Sequence, residues 1–140
     1  MTNPTLELLL KRRSAKAALL AAPGPTPAEL DTILTCAARV PDHKKLVPWR
    51  FIVFEGEPRA KFGELLPRTV APVPPVAPRV AAYGTCWITE WYSFSETIKK
   101  ALSLTANERI AGFVYVGTDS APQEDRERPA LVDTVTRWQP

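Results

Sequence analysis

Trp49-Arg50-Phe51-Ile52-Val53-Phe54 is a short run of aromatic and β-branched residues that ends at Glu55-Gly56. Such a run predicts a strand covered on both faces. A strand of that kind needs covering elements, and its flanks supply them. Upstream, Thr26-Pro27-Ala28-Glu29 reads as a capping box with proline at the first helical position. Leu30, Ile33, Leu34, Ala37 and Ala38 follow at helical spacing, so a helix runs to Arg39 and stops before Val40-Pro41. Downstream, Pro58 to Leu66 predicts a short helix with Phe62, Leu65 and Leu66 inward, stopped by Pro67.

Farther out, Asn3-Pro4 starts an amino-terminal helix whose Leu6, Leu9 and Leu10 share a face, and which carries on into the Lys11 to Lys16 region. Ala22-Pro23-Gly24-Pro25 breaks the chain before the second helix. Between Val70 and Val80, four prolines favour an extended connection. Gly84 to Thr89 and Ile110 to Val116 predict two more strands. Between them, Ser93 and Glu96 have the spacing of a second capping box, opening a helix through Ile98 and Leu102. The tail from Asp119 is charged and aperiodic until Leu131-Val132 and Trp138, which suits a surface crossing.

The 140 residues, 45% hydrophobic and 24% charged, have the make-up of one globular domain. Eighteen basic and 15 acidic residues give a net charge of +3, too mild a balance to call for nucleic acid. The amino-terminal leucines are interrupted at Lys11-Arg12-Arg13, far short of the roughly 20 apolar residues that span a bilayer. Export and membrane insertion are therefore not indicated, and a cytoplasmic location is expected. Cys36 and Cys86 share no paired spacing and predict two reduced, buried thiols.

One histidine, His43, and two cysteines cannot complete a metal set of recognised spacing. Asp42-His43 has no accompanying nucleophile elbow, so hydrolysis has no support. Gly-x-Gly-x-x-Gly and phosphate-loop motifs are both lacking. Arg12-Arg13-Ser14 is a candidate anion site, because a planar guanidinium pairs with phosphate oxygens and a hydroxyl adds one more donor.

Taken in order, these segments resemble the small FMN-dependent nitroreductases. The resemblance is carried by Arg12-Arg13-Ser14 closing a helix, Arg39-Val40-Pro41-Asp42-His43-Lys44, and Pro48-Trp49-Arg50-Phe51. It continues through Tyr83-Gly84-Thr85-Cys86-Trp87-Ile88-Thr89, similar to the family's Gly-x-Gly-x-x-Trp segment, and through Arg109 to Thr118. It implies a single α+β domain over residues 1–140, a three-layer arrangement with a central mixed or antiparallel sheet flanked by helices. It also implies a homodimer with FMN at the interface and NADH or NADPH as electron donor.

Under that resemblance Arg12, Arg13 and Ser14 hold the phosphate and ribityl end, and Arg39 and His43 act across the interface. Trp87, Ile88 and Thr89 line the flavin pocket, mainly through backbone groups, although Ile88 replaces a basic residue found in some relatives. The flavin carries the chemistry, so no protein nucleophile is required, and nitroaromatic or quinone-like acceptors are the implied substrates. Family members carry a further strand and a long apolar helix after the Pro-rich connection at 70–80. Their lack here, at a join near residues 80–81, has three readings: a genuine internal deletion, an engineered one, or residues omitted from the sequence. That leaves open a second class of function, a non-catalytic descendant acting as a dimeric binding or regulatory module.

Overall fold

The computed structural model describes residues 3–66, 83–121 and 123–137. Among them the elements are, in chain order, α1 (Pro4–Lys11), β1 (Leu20–Ala21), α2 (Pro27–Ala38), α3 (Gly56–Glu64), β2 (Tyr83–Ile88), α4 (Glu96–Ala101), β3 (Phe113–Asp119) and α5 (Leu131–Thr134). They divide into two compact units, one spanning Ser14–Ala121 and the other combining Met1–Arg13 with Pro122–Pro140.

The larger unit is mixed α+β, built on an antiparallel sheet in the order β1-β3-β2. The register runs from Tyr83 opposite Thr118 to Ile88 opposite Phe113, and Leu20 lies opposite Asp119. Along β2, exposed Thr85 and Trp87 alternate with half-buried Cys86 and Ile88, the two-residue period of a strand with one covered face. Gly84 lies where β1, β2 and Ala15 converge: a Cβ there would stand 2.9 Å from Leu20 Cδ2 and 3.0 Å from Ala15 Cβ. A side chain there would have to displace the Leu20 methyl and crowd Ala15, which glycine avoids.

α2 begins as the sequence predicts. Thr26 N donates to Glu29 Oε2 at 2.8 Å, and Glu29 N donates to Thr26 Oγ1 at 3.4 Å. Phe62 of α3 stacks on Phe54 with ring centroids 4.4 Å apart and meets Phe113 of β3 at 5.8 Å, while Tyr92 meets Phe113 at 5.1 Å. Ala15 and Ile98 are the buried apolar side chains among the described residues.

Several expectations are corrected. Trp49 to Phe54 forms no strand, and Phe51, Ile52 and Val53 are 48%, 38% and 44% exposed. A strand exists only when its backbone finds a partner, and no backbone hydrogen bond reaches this segment among the described residues. The third strand starts at Phe113 rather than Ile110. The first helix stops at Lys11, where Arg12 turns extended as its C-cap with ψ of 141°. No Ser93 capping box forms. Ser93 instead lies buried in a tight turn, Trp91–Phe94, and Ser95 precedes α4 without a side-chain cap bond. Both thiols are free, but Cys36 is exposed and Cys86 half-buried. Strand β1, two residues long, is too short to show a period in the sequence. The expected Pro-rich connection at 70–80, the join near 80–81 and Trp138 lie outside the described residues.

In the smaller unit, Asn3 Oδ1 accepts from Thr5 N at 2.9 Å and Lys11 occupies the last turn, so both ends of α1 complement its dipole. Leu6, Leu8, Leu9 and Leu10 are all exposed on it.

Candidate functional site

The sheet positions one group of the expected site residues. Trp87 and Ile88 close β2, and Thr89 follows directly. The Trp87 indole Nε1 donates to Thr89 Oγ1 at 3.1 Å, and that hydroxyl donates to the Ala111 carbonyl at 3.2 Å. The indole lies so close over Gly112 that any Cβ there would collide with the ring. Ala15 N donates to the Thr85 carbonyl at 2.9 Å, which sets the neighbouring Ser14, with an exposed side chain, beside the same strand. Ser14 thus precedes a residue bonded to the middle of β2, and Trp87-Ile88-Thr89 lie at that strand's end.

Arg12 and Arg13 follow α1 in the smaller unit. Arg12 N caps the helix by donating to the Leu8 carbonyl at 2.8 Å, leaving its side chain exposed. Arg13 Nε is buried and has no hydrogen-bond partner among the described residues. A buried N–H on a cation is costly until an acceptor meets it, so this donor suits an anionic group.

Arg39 is the C-cap of α2, and His43 opens a tight turn, His43–Lys45; both are exposed. No hydrogen bond or ion pair among the described residues joins either to the β2 group. The sequence reading overlooked what shapes their loop. Lys44, Lys45 and Val47 all hold positive φ, at 55°, 57° and 43°, a strained region for side chains and most of all for a β-branched one. Asp42 holds the turn, with Oδ1 accepting from Leu46 N at 3.1 Å and Oδ2 from Val47 N at 2.9 Å. The available signal was an aspartate at a turn start.

Two further links were also unforeseen. Arg50 pairs with Glu108, whose other oxygen accepts from Thr105 N at 2.7 Å. The guanidinium first, then the Thr105 amide, hold the Glu108 carboxyl down at about 2. Tyr83 donates to Glu29 Oε2 at 2.8 Å, tying β2 to the α2 cap. Glu29 is held below the usual carboxylate range by the Thr26 hydroxyl, the Thr26 amide and Tyr83, and Tyr83 is pushed up chiefly by that carboxylate. Burial pushes the Tyr92 phenol up, reinforced by Tyr115. Among the described residues, no three His, Cys, Asp or Glu side chains gather to hold a metal ion. No described helix is long and apolar enough to cross a membrane.

The nitroreductase family model matches residues 9–83, more than half of the chain. The chain belongs to the nitroreductase family. A relative from Escherichia coli (strain K12), named "Putative NAD(P)H nitroreductase YdjA", is 51% identical over 61 residues, which is 44% of this chain and 32% of the relative. Another, from Haemophilus influenzae and named "Putative NAD(P)H nitroreductase", is 45% identical over 65 residues, 46% of this chain and 34% of the relative. The chain therefore spans about a third of the length of the curated relatives it matches. The stretch matched by the nitroreductase model includes Arg12, Arg13, Ser14, Arg39 and His43, and it ends before Trp87, Ile88 and Thr89.

Proposed function

We propose that this nitroreductase-family chain is an FMN-dependent oxidoreductase, passing hydride from NADH or NADPH to nitroaromatic or quinone-like acceptors. The observation that carries this reading is the buried Arg13 Nε, without a partner among the described residues, within the family-matched stretch. Bound FMN would supply the hydride-transfer chemistry. The chain's residues would bind and orient. Arg12 and Arg13 would offer charge-assisted, fork-shaped donors to the phosphate, and the hydroxyl of Ser14, next in sequence, would add another. Arg39 and His43, both exposed, would act from a second copy, and the Arg39 guanidinium would favour the reduced, anionic form of the cofactor. Trp87, Ile88 and Thr89 would line the pocket, with the indole's pose fixed by Thr89 and by Gly112 beneath it. The reading includes a cytoplasmic homodimer and the family's three-layer arrangement.

The test is an absorbance spectrum of protein loaded with FMN and freed of excess, followed by anaerobic NADH or NADPH. Retained yellow colour that bleaches is the expected result, and Arg13→Gln is expected to weaken retention by about tenfold or more, the loss of one charged hydrogen bond. A folded wild-type sample that retains no flavin would overturn the reading. The short overlap with longer relatives would then favour a non-catalytic dimeric binding or regulatory module.

A further inference from the structure

The turn that carries His43 is opposed by its own backbone. Lys44, Lys45 and Val47 have φ of 55°, 57° and 43°, where a side chain crowds the main chain. Val47 is resisted on two counts: it is β-branched, and it precedes Pro48, before which extended backbone is favoured. Packing offers no compensation, since Leu46 and Val47 are 68% and 58% exposed. Among the described residues, no hydrogen bond or ion pair ties residues 42–47 to another element. Apart from a 3.3 Å bond from Leu46 N to the His43 carbonyl, the turn is held by the Asp42 carboxylate, one oxygen on the Leu46 amide and the other on the Val47 amide. Both bonds are charge-assisted, and both fall at the end that the strain would open.

We infer that Asp42 is a positioning residue: its carboxylate latches a turn that relaxes without it, and so fixes where His43 stands. When the charge is removed, Val47 swings to the extended conformation that Pro48 favours. The Leu46 and Val47 amides then turn to water, and His43 loses its place relative to Arg39, the C-cap of α2. Pro41 and Pro48 bound the movement, because each ring fixes its own φ. The latch stands on the geometry of the turn alone. The use made of a fixed His43 rests on the proposed function, in which that side chain acts on the cofactor.

Two measurements on flavin-free, full-length protein read the latch. Trypsin cuts after lysine and arginine where the chain opens, at a rate that follows the open population. Asp42→Asn keeps the side chain's shape but can accept from only one of the two amides. It should speed cleavage after Lys44 and Lys45 by about tenfold, the loss of one charged hydrogen bond, and leave cleavage after the exposed Arg126 unchanged. Val47→Gly should raise the melting temperature, because glycine accepts a positive φ. In an unstrained turn it would lower it, through the added freedom of the unfolded chain. A third measurement, on FMN-loaded protein, reads positioning. Asp42→Asn should shift the flavin's reduction potential, and the shift should vanish in the His43→Gln background, whereas a direct effect of the Asp42 charge would persist there. Equal cleavage in parent and Asp42→Asn, or a lower melting temperature for Val47→Gly, would overturn the latch. An absent or persistent shift in potential would overturn the positioning role. If Asp42→Asn fails to fold, Val47→Gly decides. A parent that retains no FMN would overturn the proposed function and with it the role given to His43, while cleavage and melting still decide the latch.

Discussion

Gly112 allows the nitrogen edge of the Trp87 indole to come close to the backbone just before β3. Gly112→Ala should push the exposed ring away, break its bond to Thr89 and destabilise the unit by about 1 kcal/mol, the low end for added bulk at a tight contact. A red shift in tryptophan emission together with a lower melting temperature would bear this out, and unchanged emission would count against it. Glu108 gives a pH-dependent prediction. Its folded pKa is depressed from 4.5 to about 2, so its contribution is complete above the unfolded value and lost as pH falls through the folded one. Glu108→Gln should therefore lower the melting temperature at neutral pH, with the gap closing as pH falls toward about 2. A gap independent of pH would remove Glu108's charge as the cause. At this scale the candidate donors could be named from the sequence, since arginine and histidine carry hydrogen-bond donors in any setting. The acceptors that arrange the site were not. Asp42 acts on Leu46 and Val47 amides, which become partners only after the backbone has turned.

Among the elements, α2 was the most legible because its cap is local: Thr26 and Glu29 are three residues apart and satisfy each other. Thr26→Ala should cost about 0.5–2 kcal/mol, the usual range for a lost N-cap. It should also leave Tyr83 as the remaining side-chain partner of Glu29. A lower urea midpoint at unchanged slope would show the loss, whereas an unchanged midpoint would show that the cap contributes nothing. The second box failed for the same kind of reason. Ser93 and Glu96 have the right spacing, but the Trp91–Phe94 turn buries the serine, and spacing cannot reveal that. Strand prediction succeeded where the chain supplied a partner, at Tyr83–Ile88 and Phe113–Asp119. It failed at Trp49 to Phe54, whose composition suits a sheet that the described residues do not provide for it.

For the whole molecule, the α+β class and the family were legible from ordered segments. The family model's stretch, residues 9–83, contains both basic groups of the candidate site. The division into two units was not, because the charged stretch from Asp119 reads as a surface crossing and not as a boundary. Nor was the central position of β3, which depends on its meeting β1 and β2 at once. One consequence lies in the way β1 is secured. The Leu19 carbonyl accepts both the Ser120 hydroxyl and amide, at 2.8 and 3.0 Å, across 101 positions of sequence. Thr118 likewise reaches the Pro23 carbonyl across 95 positions. Such high contact order slows folding, since a long loop must close before the contacts that stabilise it exist. On the ribosome, β1 emerges long before β3, its partner strand among the described residues, so the sheet stays open until β3 is synthesised. Throughout that interval the apolar run at Trp49 to Phe54 is available to chaperones and to neighbouring nascent chains.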